Sequence, residues 1–148
     1  MKTILIATDG SENADQAVDV AIDLARQTGA ALQVLSVRPQ RAAGRAGSGP
    51  ATLEVEERDG PEHIAEAAAV RAREAGVAAT PHHARGDVVS SIAEAASSLG
   101  ADLVVVGSRG HGPISGAVLG SVSHGLVSRS PVPLTIVRQT GVHAVAGS

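Results

Sequence analysis

Residues 107–121 read GSRGHGPISGAVLGS, with five glycines at Gly107, Gly110, Gly112, Gly116 and Gly120. Glycine lets a backbone turn tightly and lets its amides approach an anion with no side chain between them. Gly120-Ser121 stands where a helix is expected to begin, so free N–H groups and the helix dipole would both favour negative charge there. The Ser121 hydroxyl can add a bond to a phosphate oxygen or to its counter-cation. Arg109 and His111 are candidate cationic or hydrogen-bonding partners on the same loop. The competing reading is a surface loop made floppy by glycine. Position decides between them: ligands of open α/β sheets sit at the carboxyl ends of strands, where strand order reverses. If the first and fourth strands are neighbours there, Asp9-Gly10 and the Gly107 loop face one crevice, and phosphate binding is the expected chemistry.

Other phosphate and nucleophile motifs fail on spacing. The only Lys is Lys2, so no Walker A loop exists. The first strand runs into T-D-G-S-E-N, which is not the G-x-G-x-x-G of a dinucleotide site. No G-x-S-x-G elbow is present. Asp9 has two readings, a ligand contact or an acceptor for the amides that open the first helix. His82 and His83 are adjacent on an expected strand and so face opposite sides, which argues against a metal pair. Arg38, Arg41 and Arg45 read as a solvated loop, with a phosphate lid as the alternative, and Glu54, Glu56, Glu57 and Asp59 as a solvated acidic stretch.

The elements that must carry these residues alternate along the chain. Thr3–Thr8 (TILIAT) is apolar on both faces, as a central parallel strand requires. Ser11 is the expected N-cap of a helix with Ala14, Ala17, Val18, Ala21, Ile22 and Ala25 on one face, stopped by Gly29. Ala31–Val37 is a second strand. A helix from Pro61 to Glu74 stops at Gly76, and Gly76–Ala84 is a third strand whose Pro81 asks for an edge position. Asp87 caps a helix carrying Val88, Ile92, Ala95 and Leu99. Asp102–Gly107 is a strand, Gly120–Arg129 a short helix, and Pro131–Val137 a closing strand. Strands alternating with helices imply a doubly wound parallel α/β sheet. Residues 1–148 read as one domain, with a loop at 38–60 and a frayed tail at 139–148.

Composition narrows the function. The chain of 148 residues has no Cys, which excludes thiolate nucleophiles, disulfides and Cys-zinc sites. It has no Phe, Tyr or Trp, which removes the stacking platforms of single-strand nucleic-acid binders. A net charge of −3 gives no general pull toward nucleic acid or acidic lipid. No apolar run reaches the roughly 18–20 residues of a membrane span, and the opening lacks the pattern of a signal peptide. A cytoplasmic protein without nucleic-acid or membrane partners is expected.

The spacing Gly107-x2-Gly110-x9-Gly120-Ser121 resembles the G-2x-G-9x-G-[S/T] nucleotide-binding motif of the universal stress protein family. ILIATDGS resembles that family's first strand and its Asp, GADLVVVGSRGHG its fourth strand and glycine turn, and GSVSHGLVSRSPVPLTIVR its last helix and strand. The resemblance spans residues 2–138 and is weakest over 38–60. It implies a Rossmann-like five-stranded sheet of order 3-2-1-4-5, with helices on both faces, and membership of the ATP-binding subclass. Asp9 would then meet the ribose, with Gly10 beside it, and Val37 would lie near adenine. Gly107, Ser108, Arg109, Gly110, His111, Gly120, Ser121 and Val122 would surround ribose and phosphates, with Mg²⁺ on the phosphates rather than on protein side chains. The resemblance also implies a homodimer through the Val132–Val137 strand.

Three classes of function follow. The leading one is a regulatory, stress-response nucleotide sensor that binds ATP or another adenine nucleotide, with at most slow hydrolysis because no base for water is evident. An enzyme of nucleotide alpha-phosphate chemistry would need a further substrate region, for which the chain has little room. An interaction module without nucleotide is disfavoured by the intact glycine spacing.

Overall fold

The computed structural model describes residues 1–39, 60–109 and 120–139. Their elements are β1 (Thr3–Ala7), α1 (Glu12–Thr28), β2 (Ala31–Pro39), α2 (Pro61–Glu74), β3 (Ala79–Gly86), α3 (Val88–Ser98), β4 (Leu103–Gly107), α4 (Ser121–Arg129) and β5 (Leu134–Val137). All strand pairs are parallel and the sheet order is β3-β2-β1-β4-β5. The chain steps outward from β1 to β2 and β3, then crosses back to β4 and β5. Strand order therefore reverses between β1 and β4, as the doubly wound reading requires.

The uninterrupted apolar run of β1 follows from its two covered faces. Ile4 and Ile6 point into one core with Leu32, Val34, Leu103 and Val105, against the alanine-rich faces of α1 and α2. Leu5 points into the other with Leu35, Val104 and Val106, against Ile92, Ala96 and Leu126 of α3 and α4. Alanines 17, 21, 25, 65, 68, 69 and 72 are all buried. Small side chains bring the helices close to the sheet, so a core with no aromatic ring can still pack densely.

Caps follow the sequence closely. Ser11 Oγ accepts from the Ala14 amide at 3.2 Å, and Gly29 takes a left-handed φ of 77° to close α1. Asp87 accepts from the Ser90 amide at 2.8 Å. Against expectation, β1 ends at Ala7, β2 runs on to Pro39, β3 runs on to Gly86 and β4 begins at Leu103, and the starts of β3 and β5 move furthest. β3 begins at Ala79, because Gly76 (φ 87°) and the Val77 amide, bonded to the Ala72 carbonyl at 2.9 Å, are used to end α2. Pro81 does lie on an edge strand. β5 begins at Leu134, so Val132 and both prolines precede it. Pro131 and Pro133 cannot donate to a ladder, and the Ser130 hydroxyl ties the turn by donating to the Val132 carbonyl at 2.6 Å. The prolines shorten this strand.

Asp102 joins two strand starts. Its Oδ2 accepts from the Lys2 amide at 2.8 Å and the Thr3 amide at 3.0 Å. These two backbone bonds hold its carboxyl below the ordinary carboxylate pKa, as the Ser90 amide does for Asp87. A depressed folded pKa gives stability that is present above the unfolded pKa and lost as pH falls through the folded one. Asp102→Asn should therefore lower stability at neutral pH and flatten the acid limb of the curve, measured by urea unfolding between neutral and acidic pH.

Candidate functional site

At the reversal point, on the α3/α4 face, the strand ends open into a cleft of about 310 Å³. Ala7, Leu35, Val37 and Val106 supply its apolar floor, and Val88 and Ile92 of α3 a side wall. Thr8, Asp9, Ser108, Arg109 and Ser121 bring polar groups to it. The volume sits at the small end of ordinary ligand pockets, which combine an apolar lining with a few placed polar groups. Of the residues singled out by sequence, Asp9, Val37, Gly107, Ser108, Arg109, Gly120, Ser121 and Val122 all line it. Gly110 and His111 lie outside the described residues. Gly10 does not line the cleft; its φ of 82° turns the chain into α1, and it faces Ile64 on the other side.

Asp9 makes the turn that one reading foresaw. Its Oδ1 accepts from the Ser11 amide at 2.9 Å, which aims the carboxylate while keeping it on the cleft wall. Thr8 Oγ1 accepts from the Gly10 amide at 3.1 Å. Opposite, Gly120 is the N-cap of α4 in extended backbone (φ −67°, ψ 164°) and carries no side chain to cap the helix amides. The first amides of a helix have no partner within it. The residues that carry them, Ser121, Val122 and Ser123, line the same cleft, at the positive end of the helix dipole. Among the described residues, no group of three or more His, Cys, Asp or Glu could hold a metal ion. His82 and His83 alternate as expected, and His82 Nε2 is bonded to Gln33 Oε1 at 2.5 Å. A wider hollow on the opposite face, between the start of α2 and β3, lies away from the strand-reversal point.

One residue that the sequence reading did not single out holds this geometry together. Asn13, 3% exposed, accepts at Oδ1 from the Arg109 amide at 2.7 Å and from Ser108 Oγ at 3.2 Å, and donates from Nδ2 to the Val137 carbonyl at 3.2 Å. Its signal was its place: a polar residue four before Ala17, on the apolar side of α1. Ser108 completes the knot. Its amide donates to the Val137 carbonyl at 2.8 Å, and its own carbonyl accepts from the Gly120 amide at 2.7 Å and Ser123 Oγ at 3.0 Å. The Arg109 guanidinium is bonded to Gln139 Oε1.

The model of the universal stress protein family matches residues 1–138. The chain belongs to that family. Universal stress protein YxiE of Bacillus subtilis is 34% identical, with 91% of this chain and 97% of that protein covered. A universal stress protein solved in complex with cAMP superposes with a TM-score of 0.68 at 29% identity, covering 94% of this chain and 98% of that one. The hypothetical protein MJ0577 shares the fold with a TM-score of 0.80 at 21% identity, covering 95% of this chain and 97% of that one. No helix among the described residues of this universal stress protein is long and apolar enough to cross a membrane.

Gly107 is where the β4 exit meets Asn13. A Cβ there would stand 3.0 Å from Asn13 Oδ1 and 3.2 Å from its backbone oxygen. Gly107→Ala should cost roughly 1–3 kcal/mol, the usual penalty of overpacking. Urea unfolding measures it; an unchanged midpoint would show that the loop base is loose.

Proposed function

We propose that this universal stress protein is a regulatory, ATP-binding stress-response protein of one cytoplasmic domain, with at most slow hydrolysis. The observation that carries the reading is the glycine-capped start of α4 facing an apolar cleft at the point where strand order reverses. The cAMP complex of a relative at 29% identity supports an adenine nucleotide as the ligand class. Val37 and its apolar neighbours would receive the base and Asp9 the ribose, with Gly10 setting the turn that presents it. The backbone of Gly107, Ser108, Arg109, Gly110, Gly120, Ser121 and Val122 would surround the phosphates, with His111 on the same loop. Mg²⁺ would travel with the phosphates rather than on protein side chains. Among the described lining residues Asp9 is the sole carboxylate, with one oxygen already taken by the Ser11 amide, and there is no His or Lys. None of these described lining residues is a strong base for water.

The backbone angles of Gly120 suit any L-residue, so Gly120→Val should fold. Its side chain would stand between phosphate and amides. ATP affinity should fall about tenfold, or roughly 1.4 kcal/mol. Isothermal calorimetry checks this, and equal affinity for both proteins would sink the phosphate reading.

The same proposal includes a homodimer. β5 is a sheet edge with Leu134 and Ile136 only half-buried, and Val127 of the adjacent α4 is 62% exposed. An edge strand must be covered or paired, and a two-fold pairing of β5 with its copy covers both at once. The unmodified protein should sediment as a dimer at micromolar concentration and Ile136→Asp as a folded monomer. A monomeric unmodified protein refutes the pairing.

A further inference from the structure

We propose that Asn13 is a positioning residue for the phosphate end of the cleft, acting through one peptide plane. The inference rests on the nucleotide reading for its ligand, but its geometry stands independently. The peptide between Ser108 and Arg109 is held on both sides. Its N–H donates to Asn13 Oδ1 at 2.7 Å, and its C=O accepts from the Gly120 amide at 2.7 Å and from Ser123 Oγ at 3.0 Å. A trans peptide is rigid and planar, with N–H and C=O pointing opposite ways. Fixing the N–H on α1 therefore aims the C=O at the N-cap of α4. Asn13 itself touches neither Gly120 nor Ser121 through any bond described above; it sets where they stand.

The side-chain chemistry points to asparagine. The site needs an acceptor for the Arg109 amide and Ser108 Oγ, and a donor for the Val137 carbonyl, within one short planar group. The asparagine amide supplies both without depending on a protonation state. A carboxylate would keep the acceptors and lose the donor. An alanine would lose both and leave buried polar groups unpaired. Asparagine is a poor helix former, yet it stands in the first turn of α1 with its side chain buried.

The test uses the full chain without nucleotide, then with ATP and with adenosine. In Asn13→Ala, amide hydrogen exchange at Arg109 and Gly120 should quicken by about tenfold or more, while amides of Ile4–Ile6 stay within about twofold. ATP affinity should fall by about tenfold and adenosine affinity by less than about threefold, since only ATP uses the α4 amides. Equal loss for both ligands, or unchanged exchange at Gly120, overturns the proposal. If Asn13→Ala does not fold, Asn13→Asp decides: it keeps the acceptor, so Gly120 should remain protected, and loss of that protection overturns the proposal. If the unmodified protein binds neither ligand, the nucleotide reading fails, and the exchange arm alone judges the positioning role.

Discussion

The end of strand β5 and the start of helix α4 are held by one carbonyl and one peptide. The Val137 carbonyl accepts from both the Ser108 amide and Asn13 Nδ2. The Ser108–Arg109 peptide that follows is gripped by α1 on one side and α4 on the other. Four segments far apart in sequence thus meet at buried polar atoms, and each buried group there has a partner. A buried amide left without a bond costs about 1–3 kcal/mol, so removing any member exposes its neighbours to that penalty. Gly107 is small because this knot occupies the space its Cβ would need.

Everything else in the fold brings those segments within reach. The two-faced sheet buries β1 and β4 between helix layers, so their carboxyl ends are rigid. Alanine-lined helices lie close on the sheet, and Gly125 of α4 continues the device: a Cβ there would fall 2.9 Å from Val89 Cγ2 of α3. That close crossing packs α4 directly against α3. Far from the cleft, Arg71 of α2 pairs with Asp19 and lies 3.6 Å from Asp15 of α1. Exposed pairs of this kind contribute little to stability, about 0–1 kcal/mol. They guide the helix surfaces rather than hold them.

The cleft combines two solutions to one problem. An anion needs donors but no bulky side chains, and an aromatic-free chain cannot stack a base between rings. The apolar floor of Val37, Leu35 and Ala7 offers burial to a flat group, while the α4 start offers amides and a dipole to a charged one. Asp9 serves both the turn and the rim, because an Asx turn at the head of α1 leaves its carboxylate on the cleft wall.

Much of this was legible in the sequence. Caps at Ser11, Gly29 and Asp87, the apolar runs of β1 and β4 and the glycine spacing after β4 are local signals, written in residues a few positions apart. They determined the succession of strands and helices, and the motif brought the strand order and most of the cleft residues with it. What only the tertiary structure decided is less local. The bounds of β3 and β5 depend on which neighbours offer backbone partners, so Gly76–Ala78 went to a helix stop and Pro131–Pro133 to a turn. The role of Asn13 could not be read from its own segment, because its partners at Ser108, Arg109 and Val137 are brought to it by the sheet. A hydrogen bond between residues about a hundred positions apart leaves no periodicity and no spacing; it exists once the chain has folded.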